Sequence, residues 1–284
     1  MLKKGEKIGL ICCSNGKPPK EKAHIKQLVY LLEQQYDLNV CLASTIYQKK
    51  NTVFSGTPQE RGEALMLFYT DPSIKMIFDL SGGDVANEIL PYLDYEAINK
   101  ANKPFVGYSD LTVILNAIYA QTSCIGYNYQ VLHLLEVEKQ QEHFRKTFIE
   151  PVSLIAFHYC WLTSPVPVTG IAVGGNIRCF LKLSGTPYWP EITNKILFLE
   201  ANGGKIEKIA AYFAQLDQTG AFKNCGAILL GQFTTIQAEK QTEQLDELIR
   251  FYAEQYAKPV LKTEQIGHST DSLPFPIGKE LSFV

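Results

Sequence analysis

Short apolar runs alternate with segments of helical periodicity through the first half of the chain. The runs at 8–13, 38–43, 75–80 and 105–108 are typical of buried strands. The helical periodicity falls at 20–36, at 58–69, in a segment that ends at residue 90, and at 111–120. Strands that alternate with helices at this spacing predict a parallel sheet covered by helices on both faces.

The second half of the chain repeats this alternation less regularly. Strands are predicted at 168–173, 195–199, 227–230 and around 260–261, and helices at 177–183 and 239–256. The charged segment 139–146 predicts an exposed helix. Two prolines in the segment 164–168 discourage regular structure and mark a linker. We therefore predict two domains, an αβα domain at 1–164 and a smaller, β-rich domain at 165–284.

Composition and charge narrow the classes of partner. The 284 residues are 46% hydrophobic and 20% charged, which is ordinary for a globular protein. The net charge of −2 supplies no basic excess for nucleic acid or an anionic membrane. The first apolar run is too short for a signal peptide or a membrane span. Seven cysteines without CxxC pairs favour a reducing cytoplasm.

Polar residues follow three of the predicted strands, at 12–16, 81–84 and 107–110. In parallel sheets, working residues collect at the carboxyl ends of the strands. Ser109 has two interpretations, since serine is a favoured helix N-cap and is also the nucleophile of a sharp strand-to-helix turn. Gly107 permits a close backbone approach, but the second glycine of the G-x-S-x-G motif is missing. Both interpretations of Ser109 stay open at this point.

The segment Ser81-Gly82-Gly83-Asp84 has three interpretations. It is a turn that needs glycine conformations, a phosphate-binding loop, or part of an oxyanion hole. The phosphate interpretation is weak, because neither G-x-G-x-x-G nor a P-loop lysine is present. In the oxyanion interpretation, the backbone N–H groups of Gly83 and Asp110 are the expected donors.

A serine nucleophile needs a base and a carboxylate that orients the base. His268 lies in a polar loop, where a lone histidine is most often a surface residue, but where functional residues also concentrate. Glu200 follows an apolar strand, so it is either a solvated strand end or a carboxylate that binds an imidazole. His133 and Glu136 have spacing for two metal ligands, which is too few to predict a metal site.

The set of motifs resembles the serine peptidase family of LD-carboxypeptidases and microcin C7 self-immunity proteins. The resemblance covers nearly the whole chain. It rests on motifs that occur in the order of the family: Ser55-Gly56-Thr57 with Glu60-Arg61, Ser81-Gly82-Gly83, 90–95, 103–112, Gly174-Gly175-Asn176, Gly185-Thr186-Pro187, 196–200, 230–233 and Gly267-His268.

This resemblance implies a fold, a triad and an oxyanion hole. The implied fold is a flavodoxin-like or class I amidotransferase-like αβα domain followed by a smaller β-rich domain, with the active site between them. Ser109 would be the nucleophile, His268 the general base and Glu200 its orienting carboxylate. Gly83 and Asp110 would supply the oxyanion amides, and Gly82 and Asn176 would bind substrate. Members are commonly cytoplasmic homodimers that use neither metal nor cofactor.

The resemblance implies hydrolysis of the terminal D-Ala from murein tetrapeptides. The alternative is a microcin C7-type hydrolase of peptidyl-nucleotides, in which Trp161 or Trp189 would stack on the purine. A non-catalytic binding protein on the same scaffold is a third hypothesis. The segments 125–130 and 201–205 depart from the family pattern and leave the substrate open between the first two.

Overall fold

The computed structural model describes residues 1–150 and 157–284, which form two six-stranded sheets with helices packed around them. The strands within the described residues are β1 (Lys7–Ile11), β2 (Asn39–Leu42), β3 (Ile74–Asp79), β4 (Phe105–Gly107), β5 (Gly126–Asn128), β6 (Cys160–Trp161), β7 (Val168–Asn176), β8 (Ile196–Ala201), β9 (Ala227–Phe233), β10 (Val260–Lys262), β11 (Phe275–Ile277) and β12 (Glu280–Phe283). The α-helices are α1 (Lys22–Tyr36), α2 (Pro58–Thr70), α3 (Tyr95–Ala101), α4 (Thr112–Thr122), α5 (Glu138–Phe144), α6 (Ile177–Phe180), α7 (Ile206–Gln218), α8 (Ala221–Asn224), α9 (Thr234–Ala238) and α10 (Thr242–Tyr256).

The first sheet has the strand order β11-β5-β4-β3-β1-β2. Its five strands from the first half of the chain run parallel, and only β11 is antiparallel to its neighbour β5. The second sheet has the order β12-β7-β8-β9-β10-β6, in which β7 to β10 are parallel and the two edge strands are antiparallel. Both sheets therefore present the carboxyl ends of several parallel strands.

The predicted fold class is confirmed: an α/β part with a parallel sheet is followed by a second part built on its own sheet. The second part also carries helices that the pattern did not predict, among them α7. The charged helix α5 is exposed on one face only: Glu138, Lys139 and Glu142 are exposed, as its charge predicts, whereas Gln140, His143 and Phe144 are buried. Gln140 tolerates burial because its amide donates to the carbonyl oxygens of Thr270 and Ser272, both at 2.8 Å.

The two sheets exchange strands at their edges. Strand β11, which comes late in the chain, completes the first sheet, and β6, which precedes the predicted linker, completes the second. The boundary at residue 164 stays a prediction. Within the described residues, no helix is both long enough and apolar enough to cross a membrane.

Helix α4 joins the two parts. All its residues from Thr112 to Tyr119 are buried, because α4 packs against strand β4 of the first sheet and against β7 of the second. A helix that is buried on every side needs apolar residues all round, which explains its composition. Its Asn116 donates to the carbonyl oxygen of Gly174 and accepts from the Gly174 N–H, both at 2.8 Å. These bonds fix the second turn of α4 against the glycine-rich end of β7.

Candidate active site

Ser109 lies on a strained turn between β4 and α4. The backbone is extended at Tyr108, and Ser109 then takes a φ of 54°, in the left-handed region that a serine rarely adopts. A Cβ at Gly107 would lie 2.8 Å from the Cβ of Leu111, so the turn requires glycine at that position. Within the described residues the Ser109 side chain caps neither the 3₁₀ turn at 109–111 nor α4. The helix-cap interpretation of Ser109 is therefore wrong.

Glu200 and His268 form a buried pair in the second part. Glu200 is inside β8 and fully buried, and its Oε2 lies 2.6 Å from Nδ1 of His268. The side chain of His268 is only 6% exposed. Both simple interpretations, a solvated strand end and a surface histidine, are therefore wrong. Across the described part of the chain, Oε1 of Glu200 and Nε2 of His268 find no hydrogen-bond partner although both are buried.

The loop that carries His268 is held by Gln232, a residue that the sequence did not single out. The Gln232 amide donates to the carbonyl oxygen of Glu264 at 2.7 Å and accepts from the Ser269 N–H at 2.9 Å. Gly267 has a φ of 156°, and a Cβ there would lie 2.6 Å from the Cβ of Gln232. A larger residue at 267 would therefore displace the imidazole from Glu200.

Tyr108 connects the serine turn to the histidine loop. Its ring centroid is 4.8 Å from that of His268, and it meets His133 edge-on at 6.0 Å. Burial raises the pKa of the Tyr108 phenol. Because Tyr108 directly precedes Ser109, this stacking brings the serine turn from the first part against the imidazole from the second. Tyr108 was not identified from sequence, although its position beside the predicted nucleophile was a signal.

The glycine loop and the serine turn each contribute a free backbone amide. Gly83 has a φ of 136°, and a Cβ there would lie 2.7 Å from Oγ of Ser14 and from Cγ of Asn15. Among the residues that the structure describes, the N–H groups of Gly83 and Asp110 donate to no protein acceptor. The loop before Gly83 is held by Asp79, which accepts from Ser81 N at 2.7 Å and from Ser81 Oγ at 2.5 Å. Burial raises the pKa of the Asp79 carboxyl.

The two predicted substrate-binding residues have different surroundings. Around the Cβ position of Gly82 the space is open, which is compatible with a ligand nearby. Asn176 is 4% exposed and caps α6, accepting from Cys179 N at 3.4 Å. Its own N–H donates to Thr112 Oγ1 at 3.0 Å. The roles of Gly82 and Asn176 in substrate binding stay predictions.

His133 and Glu136 satisfy each other. His133 Nδ1 lies 3.0 Å from Glu136 Oε2, and burial lowers the pKa of the imidazole although Glu136 opposes that shift. The described residues contain no group of three or more His, Cys, Asp or Glu side chains placed to hold a metal ion.

The chain matches sequence models of two domains that occur together in one family. The LD-carboxypeptidase N-terminal domain matches residues 8–129, and the LD-carboxypeptidase C-terminal domain matches residues 169–283. The chain belongs to the LD-carboxypeptidase family. Membership makes it a hydrolase of the carboxypeptidase type, and the resemblance noted in the sequence motifs is thereby confirmed.

Named relatives of this family fall into two functional groups. The microcin C7 self-immunity protein MccF of Escherichia coli is 27% identical over 262 residues, covering 80% of this chain and 76% of that protein. A probable murein peptide carboxypeptidase of Bacillus subtilis is 26% identical over 293 residues, covering 98% and 88%. The crystal structure of an MccF-like protein from Bacillus anthracis superposes with a TM-score of 0.87 at 26% identity, covering 99% and 94%.

Proposed function

We propose that this family member is a serine-type L,D-carboxypeptidase that releases the terminal D-Ala from murein tetrapeptides. The observation that carries the catalytic part of the proposal is the position of His268. Its Nδ1 binds Glu200 at 2.6 Å, its ring packs on Tyr108 next to Ser109, and its Nε2 is buried with no partner among the described residues. A buried imidazole nitrogen without a partner is costly unless a reacting group meets it.

In the proposed reaction, Ser109 is the nucleophile. Nε2 of His268 takes the Ser109 hydroxyl proton as Oγ bonds to the carbonyl carbon of the scissile amide. Glu200 holds the other ring nitrogen and stabilises the imidazolium that forms. The imidazolium then gives its proton to the departing amine of D-Ala as the C–N bond breaks. Water, deprotonated by the same nitrogen, attacks the acyl-enzyme ester and restores the Ser109 hydroxyl.

The proposed oxyanion donors are the N–H groups of Gly83 and Asp110. Neither donates to a protein acceptor within the described residues, and each belongs to a segment at the carboxyl edge of the first sheet. Donors that are already oriented before the reaction stabilise the charge of the tetrahedral intermediate without reorganisation. The positive φ of Gly83 supports this role, because only glycine adopts that conformation without strain.

A carboxypeptidase also needs a cation for the terminal carboxylate, and Arg178 is the candidate that the contacts favour. Its guanidinium is 37% exposed on the side chain, donates to the carbonyl oxygen of Gly83 at 3.3 Å and pairs with Asp84. The neighbouring cation Lys182 already bonds to Asp84 and Asp110. Asp84 is exposed, so its pairing with Arg178 is weak and open to exchange for a substrate carboxylate.

The alternative substrate is a peptidyl-nucleotide, because one relative, 27% identical to this chain, is the microcin C7 self-immunity protein MccF. The tryptophans expected to stack on a purine contact other rings instead. Trp189 packs on Phe180 at 4.5 Å between centroids, and Trp161, on edge strand β6, packs edge-on to Tyr159 at 6.1 Å. These contacts favour the carboxypeptidase.

We further propose a cytoplasmic homodimer that requires no cofactor. The oligomeric state is to be tested by sedimentation, and the absence of a metal requirement by activity in the presence of EDTA.

The test compares two substrates side by side. The wild-type chain and Ser109→Ala are incubated with a murein tetrapeptide and with a peptidyl-nucleotide, and products are identified by mass spectrometry. We expect release of D-Ala from the tetrapeptide and a fall of on the order of 10³-fold or more in kcat for Ser109→Ala, with an unchanged far-UV circular dichroism spectrum. Near-normal turnover by the variant would remove Ser109 from the mechanism. Cleavage of the nucleotide substrate alone would select the MccF-type activity, and failure of a serine-directed phosphonate to label Ser109 would favour a binding protein.

A further inference from the structure

A continuous set of buried polar contacts joins the glycine loop to the serine turn. Ser14 Oγ donates to Asp110 Oδ2 at 2.8 Å and accepts from Val85 N at 3.3 Å. The same Oδ2 accepts from Ala86 N at 2.8 Å, and Ser14 N donates to Ser81 Oγ at 3.2 Å. Ser14, Ser81 and Asp110 are each at most 1% exposed. The segment on either side of Gly83 is therefore held at both ends by contacts with Ser14 and Asp110.

The negative charge of the Asp110 carboxylate is paired with the ammonium group of Lys182, which belongs to the second part of the molecule. Lys182, which follows α6, places Nζ 2.6 Å from Asp110 Oδ1, 2.8 Å from the carbonyl oxygen of Asp84 and 3.5 Å from Asp84 Oδ1. This one ammonium group thus contacts the serine turn and the glycine loop together. A fully buried carboxylate that loses its cation is left uncompensated, so the contact is costly to remove.

We propose that Ser14 and Lys182 are positioning residues, which hold the amides of Gly83 and Asp110 at a fixed separation through the Asp110 carboxylate. The inference rests on the proposed function, because it assigns a task to side chains that touch no reacting atom. One donor amide belongs to Asp110 itself. The other lies between Ser81 and Val85, both of which contact Ser14. A shift of the carboxylate therefore changes the spacing of the two donors, and a misplacement of about 1 Å costs on the order of 100-fold in rate.

The primary experiment measures kcat and KM for Lys182→Met, Lys182→Arg and Ser14→Ala. We expect kcat for Lys182→Met to fall about 10- to 100-fold with KM within about 3-fold of wild type. Lys182→Arg should recover most of that loss, because it restores the cation. The matched control is Lys195→Met, since Lys195 is similarly shielded (16% against 21% side-chain exposure) and pairs with Glu191 at 3.8 Å. The control should keep wild-type kcat.

A second measurement separates positioning from a general loss of structure. A peptide boronic acid forms a tetrahedral adduct on serine and places an oxygen in the oxyanion hole. Its inhibition constant should rise in Lys182→Met and Ser14→Ala in proportion to the fall in kcat/KM. The effects of the two substitutions should be less than additive in the double variant, because both act through one carboxylate.

Three results would overturn the inference. One is an unchanged boronate inhibition constant in folded Lys182→Met. Another is a loss of activity that Lys182→Arg fails to recover, and the third is fully additive losses in the double variant. If Lys182→Met does not fold, Ser14→Ala decides the question, and an unchanged boronate inhibition constant in that variant overturns the inference. Failure of the proposed function would look different: a wrong substrate assignment would leave the wild-type chain unable to release D-Ala, and a wrong serine mechanism would leave it unable to bind the boronate.

Discussion

Replacing Glu200 by Gln tests whether the Glu200 carboxylate serves the reaction or the stability of the fold. Glutamine keeps the shape of the side chain and removes its charge at the atom 2.6 Å from His268 Nδ1. A hydrogen bond to a charged group is worth about 1.5–3 kcal/mol, and 1.36 kcal/mol is tenfold in rate, so kcat should fall about 10- to 150-fold. If the amide NH₂ turns toward Nδ1, it selects the wrong imidazole tautomer and the loss reaches about 10⁴-fold.

The same substitution should hardly change stability. Glu200 is fully buried, and Oε1 has no partner among the described residues, so the folded state carries the cost of a charge that is only partly compensated. Glutamine removes that charge and keeps the shape of the side chain. We expect the free energy of unfolding to change by no more than about 1 kcal/mol, or a few degrees in Tm for a chain of this size.

The assay is tetrapeptide hydrolysis by mass spectrometry, with Tm measured by calorimetry on the same preparation. Glu191→Gln is the control, because Glu191 is an exposed carboxylate that pairs with Lys195 and should alter neither quantity. A variant at Glu200 with kcat within about 3-fold of wild type and a Tm lowered by about 10 °C or more would refute the reasoning. Glu200 would then support the fold instead of the reaction.

Three further predictions use other parts of the site. Gly83→Ala should lower kcat by about 10²-fold with a smaller effect on KM, because its Cβ would displace Ser14 Oγ; unchanged kcat would exclude the Gly83 amide as a donor. Arg178→Met should raise KM for the tetrapeptide more than for its C-terminal amide; equal changes would exclude Arg178 as the carboxylate anchor. Burial lowers the pKa of His133 in the folded state. The contribution of His133 to stability is therefore present above its unfolded pKa of about 6.5 and is lost as the pH falls through its folded-state pKa. When the pH is lowered from about 7.5 to about 5, the free energy of unfolding measured by urea titration should therefore decrease less in His133→Asn than in the wild type. Equal decreases in the two proteins would contradict this prediction.

The sequence correctly predicted those helices and strands whose own residues show a strong hydrophobic periodicity or a continuous apolar run. The strand cores and the helices α1, α2, α4 and α10 were predicted to within a few residues, since each is long or continuously apolar. Strands β5, β6, β11 and β12 were not predicted. They have only two to four residues each, and β11 exists because it pairs with β5, which lies far from it in sequence. Such pairing leaves no local periodicity.

For the candidate site too, some residues could be predicted from the sequence and others could not. Ser109, Glu200 and His268 were predicted from residue type, from their place at the ends of predicted elements and in a polar loop, and from the family resemblance, and their catalytic roles stay predictions. Tyr108, Gln232 and Lys182 were missed as site residues, because their contacts join segments distant in the chain. No pattern along the sequence marks a tyrosine as the ring against which a histidine will pack, or a lysine as the partner of one buried carboxylate.

Contacts between the two parts approach the serine turn from two directions. On one side, Tyr108 packs on His268, and His268 binds Glu200 in β8. On the other side, Thr112 in the first turn of α4 accepts from the N–H of Asn176 in β7 at 3.0 Å.

These two routes meet inside the second sheet. Strands β7 and β8 are parallel neighbours, and their register places Asn176 directly opposite Glu200. The serine turn, the start of α4, the two strands and the histidine loop therefore form a closed ring of contacts. In a closed ring, a displacement at any one contact is resisted through both directions, so the relative positions of Ser109 and His268 do not depend on a single interaction. Preorganisation of this kind is what a hydrolase needs if its nucleophile and base come from different parts of the chain.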